Sequence, residues 1–280
     1  MTPALRDGLL LALAVAGVPA AGALLVSPAA RAWLRGTGSV RQTLSNAAVG
    51  LVFLGSQAVL RGALVGVFAG AAAVVPWKLP GGWPSAALAF VLLDLVYYAQ
   101  HRVEHAVPVL WAVHAVHHQS RDYNLSVSLR VGALASVSTA VFHASLALAG
   151  VTVAQYAVVA TAHAVLLFGL HARTKLAFGP GRVFNAPVFH RVHHGAERAY
   201  VDKNFGGVFL VFDRLFGTFA PYTTEPTFGV VGEECPELPL AANAAPWVAL
   251  AAKVRGQPTV RGKLRALLVH TPDERDPPPS

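Results

Sequence analysis

The sequence predicts an all-α fold: an integral membrane bundle of about four to five transmembrane helices, mostly in hairpins, under a cytoplasmic helical cap. Three observations predict it. Of the 280 residues, 54% are hydrophobic and only 13% charged, against about 25% charged in an ordinary soluble domain; mean hydropathy is +0.50. The apolar residues gather in long stretches broken by Pro and Gly. The net charge of +8, from 22 basic and 14 acidic residues, collects between those stretches on one side, as in the cytoplasmic loops of membrane proteins. This composition excludes disorder, collagen and a nucleic-acid-binding tail, so no nucleic-acid partner is expected. The lone Cys235 excludes a disulfide framework and any thiolate metal cluster.

The elements follow in order. Leu9–Val26 carries no charge and reads as a membrane anchor, because Asp7 cancels Arg6 in what would be a signal peptide's basic region. Leu44–Leu60 is apolar but ends at Arg61, and is expected in or near the membrane interface. Gly62–Val75 with Trp77, and Pro84–Gln100, form a first hairpin around Lys78-Leu79-Pro80-Gly81-Gly82-Trp83, whose tryptophans suit a membrane–water boundary. Gly132–Ala149 and Val151–Leu170 meet at Gly150 in a second hairpin. Arg31, Arg35 and Arg41 precede the first hairpin, and Arg102, Arg121, Arg130, Arg173, Lys175, Arg182, Arg191 and Arg198 follow the two; the tips hold only Lys78. Both hairpins therefore dip outward and return to the cytoplasm. Beyond Thr223 the chain is more polar and rich in Pro, with amphipathic helices expected around Pro246–Val254 and Arg261–Val269 and a disordered tail at Pro272–Ser280.

Eight of the 12 histidines fall in three runs: His101-Arg-Val-Glu-His105, His114-Ala-Val-His117-His118 and His190-Arg-Val-His193-His194. Positions i, i+3 and i+4 share a helix face, so each run is expected to point its imidazoles one way. Clustered imidazoles have a specific use as metal ligands. Eight of them, joined by His171 after the second hairpin, exceed what one tetrahedral zinc can take, so two metals in a nitrogen-rich cage is the economical reading. Imidazole suits iron, zinc, copper and nickel alike. A cage of neutral ligands favours a ferrous pair able to activate dioxygen, and lipid chains are the adjacent source of C–H bonds. His163 reads equally as an extra ligand or a core residue, His143 as a core or substrate-pocket group, and His270 as solvated. Asp94, about two turns before His101, is expected to orient a ligand, Glu104 to do the same or face solvent, and Asp122, Asn124, Asp202 and Asn204 to orient ligands or cap the next helices. His101-Arg-Val-Glu104-His105 also spells the inverted zinc-protease pattern, in which Glu104 would activate a zinc-bound water. That reading leaves both H-x-x-H-H runs unexplained.

The three boxes, together with Asp94-Leu-Val-Tyr97-Tyr98, Phe178-Gly179-Pro180, Asp202-Lys203-Asn204-Phe205-Gly206-Gly207 and Asp213-Arg214-Leu215-Phe216-Gly217-Thr218-Phe219, resemble the fatty acid hydroxylase/sterol desaturase superfamily of membrane di-iron enzymes. Ser120-Arg-Asp122-Tyr123-Asn124-Leu125-Ser126 and His194-Gly195 are most similar to its alkylglycerol monooxygenase-like branch. Arg130-Val131-Gly132-Ala133 lacks the His and Pro of many sterol desaturases. The resemblance implies His101, His105, His114, His117, His118, His171, His190, His193 and His194 as ligands of two irons. It also implies dioxygen, a lipid substrate drawn from the bilayer, and an external electron donor such as tetrahydropterin, ferredoxin or a cytochrome b5-type protein.

Three regions are expected: an N-terminal anchor with first helices (1–83), the catalytic domain (84–222) and a C-terminal extension (223–280). The expected activity is O2-dependent hydroxylation, or desaturation, of a lipid C–H bond at a cytoplasmic site. The competing readings are a membrane metal-binding protein without turnover and a membrane zinc protease.

Overall fold

The computed structural model describes residues 39–174 and 182–270. The expected anchor Leu9–Val26, the residues Arg31, Arg35, Lys175 and Phe178-Gly179-Pro180, and the tail Pro272–Ser280 lie outside the described residues. Those described are helical, with no strand among them beyond two isolated bridges. The helices are α1 (Val40–Ala73), α2 (Trp83–Ala106), α3 (Pro108–His118), α4 (Ala135–Leu148), α5 (Val153–Leu170), α6 (Pro187–His193), α7 (Val211–Leu215), α8 (Pro239–Arg255) and α9 (Val260–Leu268), with a 3-10 turn at Leu125–Leu129.

Helix α1 corrects one expectation. Leu44–Leu60 is no separate interfacial stretch but the first half of one 34-residue helix. No proline interrupts Val40–Ala73, and in lipid an unbroken helix is the cheapest way to satisfy every backbone N–H and C=O. Its start is capped by the Ser39 hydroxyl, which accepts from the Gln42 N–H. Arg61 stays exposed and interrupts nothing. Helices α1 and α5 are both long and apolar enough to cross a membrane. Leu51 and Val59 on α1 are 68% and 83% exposed, which suits contact with lipid rather than with water. These are the properties of a membrane protein.

The two hairpins meet at their tips. The Leu79 N–H donates to the Gly150 carbonyl (2.8 Å), and the Gln155 amide donates to the Pro80 carbonyl (2.9 Å). Gly150 has φ +87°, and a Cβ there would press on the Trp77 ring and the Leu79 nitrogen. Only glycine meets both demands without strain. Thr152 and Gln155 form a capping box that starts α5 immediately afterwards. Below the tips, Phe68, Ala89, Leu93, Leu146, Val151 and Val159 form the apolar core between α1, α2, α4 and α5. Helix α4 is only 14 residues long, about 21 Å, shorter than the expected Gly132–Ala149.

At the opposite end α1 turns polar. Gln42, Ser45 and Asn46 are buried, where Asn46 donates to Ser120 and Ser126 (3.2 and 2.9 Å). Arg130, which charge counting places among exposed loop residues, is wholly buried instead. Its guanidinium donates to the Val116 and Pro236 carbonyls, Ser45, Asn46 and Gln119, so one side chain ties α1, α3 and the approach to α8 together. Burial draws its pKa down to about 10, and it remains charged at neutral pH. Helix α8 begins seven residues before the expected Pro246–Val254, with Pro246 inside it. Proline leaves the carbonyl four residues earlier without its helical donor, and the Gln119 amide supplies one to Ala242 (3.1 Å).

Removing the buried guanidinium strands several acceptors at once, each costing about 1–3 kcal/mol. Arg130→Met should therefore destabilise the protein by at least about 3 kcal/mol, read as a lowered midpoint in chemical unfolding from detergent. An unchanged midpoint would show that the five contacts contribute nothing net.

Candidate metal centre

Nine imidazoles converge where α2, α3 and α6 meet the end of α5. They form two groups: His101, His105, His114, His118 and His193, and His117, His171, His190 and His194, with the ligand atoms of each group within 4.8 Å of one another. These are the nine histidines named from the sequence. Within the runs, however, the imidazoles do not all point one way. His114 and His118 join the first group and His117 the second; His190 and His194 join the second and His193 the first. The cause is the helical step of about 100° per residue: positions i and i+4 stay about 40° apart, whereas i+3 falls about 60° to the other side. Each H-x-x-H-H run thus serves both groups.

The other ring nitrogen of most of these histidines is already committed. Nδ1 faces the Phe205 carbonyl in His101 (2.9 Å), the Arg130 carbonyl in His117 (3.0 Å), the Leu167 carbonyl in His171 (3.2 Å) and the Lys203 carbonyl in His193 (2.9 Å). A carbonyl only accepts, so each of these Nδ1 atoms carries the proton. Carboxylates do the same for His114 (Glu104, 3.0 Å) and His105 (Asp202, 3.4 Å). Burial, reinforced by the neighbouring imidazoles, holds His117, His118, His190, His193 and His194 well below the usual histidine range, so they are neutral at pH 7. Their free Nε2 lone pairs then meet. The Nε2 atoms of His101 and His114 lie 3.1 Å apart in the first group, and those of His117 and His171 lie 3.2 Å apart in the second. Both Nδ1 protons of the His117–His171 pair are given to carbonyls, so that pair has no proton to share. His193 Nε2, His194 Nε2 and His190 Nδ1 are also buried without a hydrogen-bond partner. Two converging sets of unprotonated nitrogens fit two metal ions, one in each group.

The remaining candidates take distinct places. His163 lies outside both groups and donates through Nε2 to Asp94 (2.6 Å). Asp94, wholly buried, touches no ligand directly; it also accepts the N–H groups of Val208 (2.6 Å) and Phe209 (2.9 Å). Asp213 accepts those of Phe205 and Gly206, both at 2.7 Å. The two carboxylates clamp the segment 203–209, whose carbonyls at Lys203 and Phe205 orient His193 and His101. A Cβ on Gly206 would collide with the Phe209 carbonyl, and one on Gly207 with Asp94, so both glycines are needed for this close approach. Asn204, at φ 55°, bridges Phe189 and Ala220. Asn124 caps the 3-10 turn through the Ser126 N–H (2.9 Å). Asp122 accepts from the Ser39 N–H at the start of α1. His143 pairs with Tyr156 (2.7 Å) between α4 and α5. Asp213 and the four carbonyls escape sequence reasoning, since a backbone acceptor leaves no trace in composition; the run Asn204-Phe-Gly-Gly…Asp213 was the available signal.

Glu104 is engaged on both oxygens, accepting from Gln100 (2.9 Å) and Ser138 (2.6 Å) on one and facing His114 on the other. That removes the carboxylate a zinc protease would need beside its metal-bound water, so the protease reading is not favoured. A cavity of about 80 Å³ reaches both groups at His105, His118, His193 and His194, beneath Trp111, Val201 and Val230.

Comparison with known proteins agrees with this geometry. The fatty acid hydroxylase family model matches residues 86–218. Alkylglycerol monooxygenase of Homo sapiens is 38% identical over 157 residues, 56% of this chain and 34% of that protein; that of Danio rerio is 37% identical over the same shares. Ornithine lipid hydroxylase OlsE of Rhizobium tropici is 27% identical over 172 residues, 55% of this chain and 49% of that protein. The matched segment spans about a third of the length of the monooxygenases. No solved structure matches.

Asp94→Asn replaces one of the two accepting oxygens by an amide N–H₂ and sets it against a buried donor. It should weaken metal binding at the five-histidine group by about 10–100-fold, the usual cost of disturbing a ligand's support, with the four-histidine group little affected; titration of metal-free protein with cobalt reads both. Uniform affinity across the two groups would refute the clamp. The metal-free protein should also lose stability as pH falls below about 6.5. Its buried imidazoles stay neutral while the unfolded chain takes up protons, so lower pH favours unfolding. Melting temperatures that do not fall between about pH 7.5 and pH 5.5 would contradict neutral burial.

Proposed function

Taking residues 86–218 as a fatty acid hydroxylase domain, we propose that this chain is a membrane-bound non-haem di-iron monooxygenase that hydroxylates a C–H bond of a lipid with dioxygen. The observation that carries it is the pair of all-imidazole groups, in which Nε2 atoms face one another at 3.1–3.2 Å. His101, His105, His114, His118 and His193 hold one iron, and His117, His171, His190 and His194 the other. Bound iron supplies the activation of dioxygen and the abstraction of hydrogen from carbon.

The chain's own residues do the rest. Phe205, Lys203, Arg130 and Leu167 hold their imidazoles by carbonyl acceptors, and Glu104 and Asp202 hold two more by carboxylates. Fixing ring orientation in advance keeps the reacting groups from having to reorganise. Trp111, Val201 and Val230 give the cavity an apolar wall that excludes water from the reactive carbon. The reactive segment of the lipid occupies this cavity, reached from the bilayer. Hydroxylation rather than desaturation follows the names of the relatives, both of which describe oxygen insertion into lipids. Two electrons come from an external donor, for which tetrahydropterin, ferredoxin and a cytochrome b5-type protein are the candidate classes. A cytoplasmic side for the site is supported by the basic residues Arg102, Arg121, Arg173, Arg182 and Arg198, near the imidazoles in sequence and away from the hairpin tips. Residues 1–83 serve as membrane anchor and first helices, 84–222 as the catalytic domain and 223–280 as a cytoplasmic extension.

Comparative lipidomics of cells with and without the protein tests this reading. A lipid class heavier by about 16 mass units, the signature of oxygen insertion at the cofactor, is expected. His190→Ala should abolish both that product and the metal content of the second group. A lipid lighter by about 2 mass units would assign desaturation instead. Full metal content with neither shift, under every donor class, would overturn the enzyme in favour of a metal-binding protein. Activity lost in Glu104→Ala but kept in His190→Ala would restore the protease.

A further inference from the structure

The C-terminal hairpin of α8 and α9 lies beyond the family match, which ends at residue 218, and the metal centre makes no use of it. Its exposed surface is unlike that of a soluble helix. Along α8, Leu240, Ala244, Val248 and Ala252 recur every fourth residue and are all exposed, and every exposed position before Arg255 is apolar. A surface helix in water carries charged and polar residues on that face. Helix α9 exposes Val260, Leu264 and Leu268, at 75%, 56% and 57%, again at four-residue spacing. On the helical wheel Arg261 and Arg265 border this stripe on one side and Lys263 on the other. None of these three cations, nor Arg255, forms an ion pair among the described residues. The opposite face of α9, at Ala266, is buried.

The hairpin also starts where α1 enters the polar end of the fold. Glu237, just before α8, pairs with Arg41, and its carbonyl accepts from Ser45 (2.6 Å); Asn243 on α8 accepts the Ala133 N–H (2.7 Å). Exposed Leu238 and Leu240 thus follow Glu237, whose partners Arg41 and Ser45 are sequence neighbours of exposed Val40 and Leu44 on the membrane helix. We propose that α8 and α9 form an interfacial hairpin lying on the bilayer surface, with the apolar stripes in the acyl boundary and Arg261, Lys263 and Arg265 on anionic lipid headgroups. An apolar stripe bordered by cations is what such a surface selects: the apolar side chains leave water while the cationic ends reach up to phosphate. The start of the hairpin is joined to a membrane-spanning helix through Glu237, and its charge is opposite to that of the headgroups.

Full-length protein with Cys235→Ser, carrying a fluorophore at Leu264→Cys, Leu268→Cys or Val248→Cys, is reconstituted into vesicles of phosphatidylcholine with phosphatidylglycerol. Brominated acyl chains should quench all three labels, and aqueous iodide should quench them several-fold less than a label at the exposed loop position Glu234→Cys. Iodide quenching equal to that at Glu234→Cys would overturn the proposal. So would protection from iodide that disappears as protein is diluted into lipid, since a second copy of the chain would then be the cover, or protection that appears only on adding an acidic electron-carrier protein. Arg261→Glu with Lys263→Glu and Arg265→Glu, checked for unchanged metal content, should reduce acyl-chain quenching at Leu268→Cys. That reduction should vanish in phosphatidylcholine alone; equal quenching in both vesicles, with and without the charge reversals, would remove the headgroups from the proposal.

Discussion

A neutral imidazole has one proton, and where a backbone carbonyl holds it at Nδ1 the other nitrogen can only present a lone pair. Two such lone pairs, those of His117 and His171 at 3.2 Å, repel one another in a buried interior, and no water-sized rearrangement is open to rings whose far sides are pinned. A cation between them turns the repulsion into the strongest attraction in the region. Much of the fold near the centre serves that condition. Helices α2, α3 and α6 bring the rings together, the segment 203–209 and the carbonyls of Leu167 and Arg130 set their protons, and Asp94 and Asp213 hold the segment that holds the rings.

This arrangement explains why so many polar groups can be buried in an otherwise apolar chain. An unpaired buried carboxylate or guanidinium is costly, yet Asp94, Asp213 and Arg130 are all fully buried. Each is surrounded by complementary groups, backbone N–H groups for the carboxylates and carbonyls and side-chain oxygens for the arginine, drawn from distant parts of the sequence for Asp94 and Arg130 and from the adjoining loop for Asp213. Arg130 links the two halves of this economy. Its side chain closes the junction of α1, α3 and α8, while its own carbonyl receives the His117 proton. Packing of the membrane helix and orientation of a ligand thus pass through one residue.

The helical class, the two hairpins, Gly150 as a turning point and the nine histidines were all legible in the sequence, because hydropathy and His spacing report them directly. What was not legible depended on three-dimensional geometry. The continuity of α1 through Arg61 needed knowledge that a single exposed cation does not stop a helix. The sorting of His117 away from His114 and His118 follows from the helical step of the run, but only the positions of both groups show that the step separates them rather than leaving all three on one broad face. The burial of Arg130 inverted the usual reading of a loop cation. Asp94 was noticed for the right reason, a carboxylate in an apolar helix needing a partner, but its partners proved to be His163 and the backbone of residues 208–209, over a hundred positions away.

The length of α1 has a further consequence. At 34 residues it extends about 51 Å, well beyond the roughly 30 Å of a hydrocarbon core. Its first turns are rooted by Asn46 and Ser45 in the layer that carries the imidazoles, and its far end is fixed to the joined hairpin tips. The helix cannot shorten, so a change in bilayer thickness is met by tilt. Because the rooted turns are rigidly built into the imidazole-bearing layer, that tilt rocks the layer with it. The height of the imidazole-lined cavity above the acyl chains is then set partly by the thickness of the membrane, and lipid composition acts on this protein as a mechanical variable.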